Sequence, residues 1–125
     1  MVRLEPNEPA SLWRTASELG LVVSCQCHVT ETTSNEFRSL LESLPDLTVV
    51  LEHLAGSNGD EDSPYPLFRR AMELAQLPNT YMKVPGLGEI THRPPVLGRE
   101  FQPEKAPPLI EIALDAFGPK RMMWG

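Results

Sequence analysis

Five side chains at or near predicted strand ends have the types that bind and transform small polar molecules. They are Arg3, Gln26, His28, His53 and Lys83. A histidine can exchange a proton near neutral pH or ligate a metal ion, and an arginine or lysine can bind a carboxylate. In α/β folds, functional sites form at the carboxyl ends of the strands, so these five residues define the candidate site.

His53 has the strongest position of the five. It ends the apolar run "LTVVLEH" (47–53) and precedes the glycine-bearing loop "LAGSNG", which is where a general base or a metal ligand is expected. Strand parity predicts that it shares a face with Val49 and Leu51. A hydrogen-bonded structural histidine is the competing interpretation, and the spacing alone does not decide between the two.

The other candidates also have plainer interpretations. Gln26 and His28 share a face of the predicted second strand, but His28 can simply begin the loop "TETTSN". Lys83 lies in an otherwise apolar strand, where a lysine needs a partner or must reach solvent from an edge strand. Arg3 can be an ordinary surface residue. The constellation therefore predicts a site but does not define its chemistry.

The composition argues against several classes of function. The 125-residue chain has a net charge of −6 and no basic stripe, which argues against nucleic-acid binding. Its apolar runs are far too short to span a membrane. Cys25 and Cys27 lie two residues apart, a spacing that matches no zinc or redox motif, so we expect reduced thiols in a cytoplasmic protein. The expected partner is a small molecule, with neither nucleic acid nor membrane.

Apolar runs alternate with segments of helical period along the chain. The predicted strands cover 1–4, 21–26, 47–53, 80–84 and 121–124, and the predicted helices cover 9–19, 34–44, 66–77 and 107–117. This alternation predicts an α/β fold with a parallel sheet and right-handed crossovers. A small flavodoxin-like sheet and five consecutive units of an eight-stranded barrel both fit. In the proline-rich segment 88–107, which is long for a connector, His92 and Arg93 are expected to be solvated.

Four segments resemble the second half of the amidohydrolase-related family of TIM-barrel hydrolases, lactonases and decarboxylases. They are "LWRTASELGLVVSCQ", "LLESLPDLTVVLEHLAG", "NTYMKVPGLGE" and "AFGPKRMMWG". The resemblance implies that residues 1–125 form the C-terminal part of one (β/α)8 barrel domain, from its fourth to its eighth strand. It also implies a water-activating aspartate shortly after Gly125. The chain is therefore expected to be a fragment that is inactive alone.

The resemblance assigns a role to each candidate. His53 corresponds to the catalytic or electrostatic histidine of the sixth strand, and Arg3, Gln26 and Lys83 are expected to bind a substrate. The family's fifth-strand metal ligand matches "SCQCHV", where Gln26 takes the position and His28 lies two residues beyond, so the resemblance leaves zinc ligation by His28 and a metal-free site both open.

The expected function is hydrolysis of a small carboxylated lactone, ester or amide. A zinc-dependent decarboxylase of the same superfamily is one alternative, and a non-catalytic small α/β binding module is the other. Self-association of the chain into a homo-oligomer is also open, because two strands of a partial barrel have unpaired edges.

Overall fold

The computed structural model describes residues 1–90 and 106–125. In these parts of the chain, strands and helices follow one another in the order β1 (Val2–Leu4), α1 (Ala10–Glu18), β2 (Val23–Cys25), α2 (Val29–Thr32), α3 (Asn35–Glu42), β3 (Val49–Leu51), α4 (His53–Gly56), α5 (Pro66–Met72), β4 (Thr80–Val84), α6 (Leu87–Ile90), α7 (Leu109–Phe117) and β5 (Met122–Trp124). A 3₁₀ turn at Glu73–Gln76 follows α5, and another at Pro119–Arg121 leads into β5.

The five strands form one parallel sheet in the order β1-β2-β3-β4-β5. Every strand pairs with its neighbours in sequence, because each helical connection returns the chain to the adjacent position. A flavodoxin-like sheet has its second strand outside the first, so the observed order excludes that architecture. The observed order is that of consecutive units of a (β/α)8 barrel, the architecture that the resemblance implied and one of the two that the alternation left open.

The four long helices lie where the apolar periodicity predicted them. The helix α3 begins after Ser34, whose hydroxyl accepts a hydrogen bond from the Phe37 N–H at 3.2 Å, as an N-cap serine does. The strands are shorter than predicted, and β3 ends at Leu51 and not at His53. The sequence did not indicate α2, α4 and α6, because a helix of one turn is too short to show a period.

The core lies between the sheet and the helices. Trp13 of α1 packs edge-on against Phe37 of α3 with ring centroids 5.7 Å apart, a geometry that contributes about 0.5–1.5 kcal/mol beyond area burial. Strand residues at alternate positions point into the same core: Val23, Cys25, Val49, Leu51, Met82 and Val84. The other face of the sheet, called the inner face below, carries the residues between them.

Arg121 attaches β5 to the preceding unit. Its guanidinium donates hydrogen bonds to the carbonyl oxygens of Ala75, at 2.9 Å, and Leu77, at 3.1 Å. The same group lies 5.4 Å from the ring centroid of Phe117. The 3₁₀ turn at Glu73–Gln76 ends in carbonyl groups without intrahelical partners, and Arg121 donates hydrogen bonds to them. The basic residue before β5 therefore has a structural role.

The last strand is only partly covered. Met122 packs against the core, but Met123 is 39% exposed and Trp124 is 70% exposed. The residue types favour burial of all three side chains, but the last two are not buried. Met123 lies on the inner face opposite Lys83 in the β4–β5 register, and within residues 1–90 and 106–125 no element covers Trp124.

Two further expectations concern the chain as a whole. None of the helices in the described parts is both long and apolar enough to cross a membrane. His92 and Arg93, expected to be solvated, lie outside the described residues.

Candidate active site

The centre of the inner face is a buried carboxylate, Glu52, which follows β3 directly and is 5% exposed. The β3–β4 register sets Leu51 opposite Met82, so Glu52 comes beside Lys83. The Lys83 Nζ lies 3.1 Å from Oε2 and 3.3 Å from Oε1 of Glu52. From the other side, the Ser24 hydroxyl donates to Oε1 at 2.5 Å. Ser24, Glu52 and Lys83 thus form one polar cluster across β2, β3 and β4.

The surroundings of Glu52 keep it ionised. Burial raises the pKa of this carboxyl group, but the hydrogen bonds from Ser24 and Lys83 and the positive charges of Lys83 and His53 lower it further than burial raises it. The pKa of Glu52 therefore lies below its ordinary value of 4.5. A carboxylate with a lowered pKa holds cations well and is a poor general base near neutral pH. Glu52 fits an electrostatic role.

His53 begins a left-handed turn. The φ angles of His53, Leu54 and Ala55 are 51°, 53° and 56°, a region that residues other than glycine rarely adopt. Because β3 ends at Leu51, the parity argument that grouped His53 with the buried residues of this strand does not reach it. The turn sets the imidazole beside Glu52 instead, with Nε2 3.6 Å from Oε2.

A second carboxylate orients the same ring. The Nδ1 of His53 lies 2.7 Å from Oε2 of Glu89 in α6. An ionised carboxylate can only accept, so the imidazole donates through Nδ1. Such a bond fixes the orientation of a histidine and leaves Nε2 as the nitrogen that can act on a ligand. The His53 side chain is 44% exposed, so a small molecule can reach it.

Two glycines allow this packing. The stem of Lys83 passes so close to Gly125 that an added Cβ would lie 1.8 Å from the lysine Cε. Gly56, with φ of 75°, lies against the chain that follows β2, where an added Cβ would be 1.9 Å from the carbonyl oxygen of Cys27. Real Cβ atoms do not approach other atoms so closely. Gly56 therefore holds the left-handed turn against the end of β2, and Gly125 leaves room for the lysine.

Arg3 and Gln26 lie near this cluster without joining it. Arg3 is opposite Ser24 in the β1–β2 register, so it faces the same side of the sheet. Its side chain is exposed and, within the described part of the chain, has no ion pair or hydrogen bond. Gln26 follows β2, where its backbone N–H donates to the Leu4 carbonyl at 3.1 Å and its side chain is exposed. Their roles in substrate binding stay predictions.

His28 caps a helix in this structure. Its Nδ1 accepts a hydrogen bond from the Thr30 N–H at 3.4 Å, and its own backbone N–H donates to Glu31 at 2.7 Å, which together form a capping box at α2. Among residues 1–90 and 106–125, no group of three or more His, Cys, Asp or Glu side chains is placed to hold a metal ion. By themselves, the described residues therefore do not form a metal centre, and ligation by His28 stays a prediction.

The two cysteines are free thiols. The Cys27 thiol donates to the Cys25 carbonyl oxygen at 3.7 Å. The side-chain hydrogen bond with Cys27, followed by burial, raises the pKa of the Cys25 thiol far above its ordinary value. A buried thiol of this kind stays protonated and unreactive. Cys25 is therefore a core residue and not a nucleophile.

Sequence reasoning missed two members of the site, Glu52 and Glu89. A signal for Glu52 existed: a glutamate and a lysine, Lys83, occur in two consecutive apolar strands, and buried charges require partners. Strand parity places adjacent residues on opposite faces, so the interpretation that put His53 in the site put Glu52 on the other face. Glu89 gave no signal, since it comes from a one-turn helix far along the chain.

Comparison with known proteins places these features in a family. The Amidohydrolase family model matches residues 2–125. A curated relative, the uncharacterized protein y4mH of Sinorhizobium fredii, is 35% identical over 91 residues, which are 71% of this chain and 28% of the relative.

Solved structures match over nearly the whole chain. Amidohydrolase 2 from Bifidobacterium longum subsp. infantis has a TM-score of 0.64 at 25% identity, with 96% of this chain and 41% of that one covered. An amidohydrolase from Burkholderia multivorans with bound zinc scores 0.70 at 21% identity, covering 98% and 47%. A proposed 2-pyrone-4,6-dicarboxylic acid hydrolase from Pseudomonas putida scores 0.68 at 21%, covering 99% and 46%. The chain spans less than half of each of these structures.

The family match extends from the first strand to the last, and the sheet order is that of the same barrel. This chain belongs to the amidohydrolase family.

Proposed function

We propose that the protein containing this chain hydrolyses a small carboxylated lactone, ester or amide. The observation that carries the proposal is the position of His53, held by Glu89 at 2.7 Å and adjacent to the Glu52–Lys83 ion pair. A family of hydrolases supplies the reaction class. The Pseudomonas putida protein, named for a pyrone dicarboxylate, supports a carboxylated lactone as the substrate type.

His53 is proposed to polarise the scissile carbonyl or to hold the developing oxyanion. A positioned imidazole costs no reorganisation when negative charge develops on the substrate oxygen, which is how such groups lower the barrier. Glu52 is too weakly basic to activate water, given the direction of its pKa shift. The group that activates water is proposed to be a carboxylate outside residues 1–125, as the family resemblance implies. The 125-residue chain alone is proposed to be inactive.

Substrate binding is proposed to use the other candidates on the inner face. Arg3 and Lys83 are the cations available for a carboxylate, and the amide of Gln26 can donate to a neutral oxygen. The partner is thus a small carboxylated molecule. The free thiols of Cys25 and Cys27 support a reducing compartment such as the cytoplasm.

A turnover assay tests the proposal. The protein in its native sequence context is assayed against lactones, esters and amides, each with and without a carboxylate. His53→Ala should lower kcat by about 10²–10⁴, the range for a positioned acid–base group. His28→Ala is the matched control, since that histidine caps α2 outside the cluster, and it should keep near-normal turnover. Near-normal turnover of His53→Ala would refute the catalytic role.

The zinc-dependent decarboxylase is the second candidate, favoured by the zinc bound to the Burkholderia multivorans protein. It predicts stoichiometric zinc in the purified protein, release of carbon dioxide, and loss of both in His28→Ala. The hydrolase predicts that His28→Ala keeps its activity. A non-catalytic binding module predicts ligand binding with no turnover in any of these assays.

A further inference from the structure

The two cations of the inner face have different surroundings. Of the residues that the five strands present on this face, Arg3 and Lys83 are the cations. Both oxygens of Glu52 lie within 3.3 Å of the Lys83 ammonium, so one positive charge is already met by one buried negative charge. Arg3 has no such partner within the described residues. Of these two strand cations, Arg3 is therefore the one whose charge is available to a ligand.

Distance separates these cations as well. Arg3 is in β1 and Lys83 is in β4, with two strands between them. Neighbouring strands lie ~4.8 Å apart, which gives roughly 14 Å between the two backbone positions. A single small carboxylate would reach both only if the two side chains extended toward each other. The side chain of Lys83 is held at Glu52 and packed on Gly125, so it does not extend.

We propose that Glu52 is a specificity-determining residue: it neutralises Lys83, so that Arg3 is the one of these two cations that binds a substrate carboxylate. In this arrangement Lys83 donates a hydrogen bond to a neutral oxygen of the substrate. This inference rests on the proposed function for its site, and it replaces a carboxylate by a neutral oxygen as the substrate group that Lys83 contacts.

Burial of the Glu52–Lys83 ion pair opposes its disruption by a ligand. The Glu52 side chain is 7% exposed, and that of Lys83 is 24% exposed. A substrate carboxylate that displaced Glu52 would leave this buried charge without its cation, which is strongly unfavourable. The Ser24 hydroxyl donates to Oε1 of Glu52 at 2.5 Å and opposes rotation of the carboxylate away from the lysine. Lys83 therefore stays paired with Glu52 when a ligand binds.

Calorimetric titration with two probes tests the proposal without turnover. Benzoate carries one carboxylate, and isophthalate carries two. The protein in its native sequence context should bind both, and Arg3→Gln should weaken both at least tenfold. Glu52→Gln, which keeps the shape and removes the charge, should free Lys83 and tighten isophthalate about tenfold while leaving benzoate unchanged.

Each result has a defined meaning. Equal affinities of Glu52→Gln and the unmodified protein for isophthalate would overturn the proposal, as would the absence of benzoate binding. If Glu52→Gln fails to fold, the double variant Glu52→Gln/Lys83→Met removes both charges, and its benzoate affinity should be unchanged. A loss as large as that of Arg3→Gln would contradict the assignment. Failure to detect hydrolysis alongside the expected binding pattern would refute the proposed function alone.

Discussion

The Lys83 ammonium and the Glu52 carboxylate lie 3.1 Å apart on adjacent strands, and the carboxylate is almost completely buried. An ion pair of this kind adds little net stability over well-packed apolar residues, but removal of one partner leaves an uncompensated charge inside the protein. The pair therefore determines how the inner face responds to substitution, pH and ligands.

Lys83→Met should destabilise the chain by roughly 2–3 kcal/mol. This is below the 3–5 kcal/mol typical of fully buried pairs, because Lys83 is 24% exposed and water reaches part of it. Urea denaturation measures the effect. The double variant Glu52→Gln/Lys83→Met should recover most of the loss, since no charge is then left unpaired. A double variant no more stable than Lys83→Met would show that the lysine contributes through its stem and not its charge.

Glu52 should make the free energy of unfolding depend on pH. Its pKa is lower in the folded chain than the ordinary 4.5, so its contribution is complete above that value and is lost as the pH falls through the lower folded pKa. The difference in unfolding free energy between the unmodified chain and Glu52→Gln should therefore be constant well above pH 4.5 and should shrink as the pH falls below that value.

Ser24→Ala provides the control for that measurement. Removal of the hydroxyl raises the pKa of Glu52 toward its ordinary value, because the Ser24 bond stabilises the charged form. The pH-dependent part of the stability should then be smaller. A pH dependence that is identical in all three proteins would exclude Glu52 as its source.

Gly56→Ala should destabilise the chain by at least about 3 kcal/mol, since a methyl group would meet backbone atoms of Cys27 at a φ that disfavours it. Gly20→Ala is the matched control. Gly20 has a similar φ of 62° but no atom within 4 Å of an added Cβ, so it should show only the torsional cost of ~1 kcal/mol. Comparable losses at both glycines, measured by thermal unfolding, would contradict the close approach.

The edges of the sheet should promote self-association of the 125-residue chain. The strands β1 and β5 are the edges, and Met1 and Trp124 are 78% and 70% exposed there, a combination that favours pairing with another chain. Trp124→Lys should shift the chain toward monomer in size-exclusion chromatography with light scattering.

Leu114→Lys tests whether that effect is specific to the edge. Leu114 is 44% exposed but belongs to α7, so the same change in charge there should leave the distribution unaltered. Equal shifts from both variants would indicate a general effect of charge, and a monomeric unmodified chain would contradict the prediction outright.

Most of the fold was predictable because its signals are local and repeated. Apolar periodicity predicted the four long helices, and the unbroken alternation with strands predicted a parallel sheet, and the structure confirms both. The strand order followed only from the resemblance. The exposure of Trp124 was not predictable, since residue type alone favours burial of tryptophan and says nothing about which face of an edge strand is covered.

The site was less predictable because it depends on where a strand stops. His53 was selected by its place after an apolar run, but parity assumes an extended backbone, and the chain leaves that conformation immediately after Glu52. This change of direction determines which side chains contact His53. Lys83 was selected because a charge in an apolar strand needs a partner, and the same reasoning applied to its neighbour strand identifies Glu52.

The left-handed turn after β3 also limits which substitutions can stabilise this protein. A non-glycine residue in this conformation costs about 1–2 kcal/mol, and here Leu54 and Ala55 adopt it consecutively while fully buried. Glycine would relieve that strain, but at Leu54 it would also remove a fully buried side chain, and this loss of about 2–5 kcal/mol exceeds the gain. At Ala55 the exchange is closer to balance, because only a methyl group is lost and glycine loses more conformational entropy on folding. The same replacements loosen the backbone that aims His53. Stabilising substitutions are therefore expected to spare this turn, so that selection for stability keeps the imidazole of His53 beside Glu52.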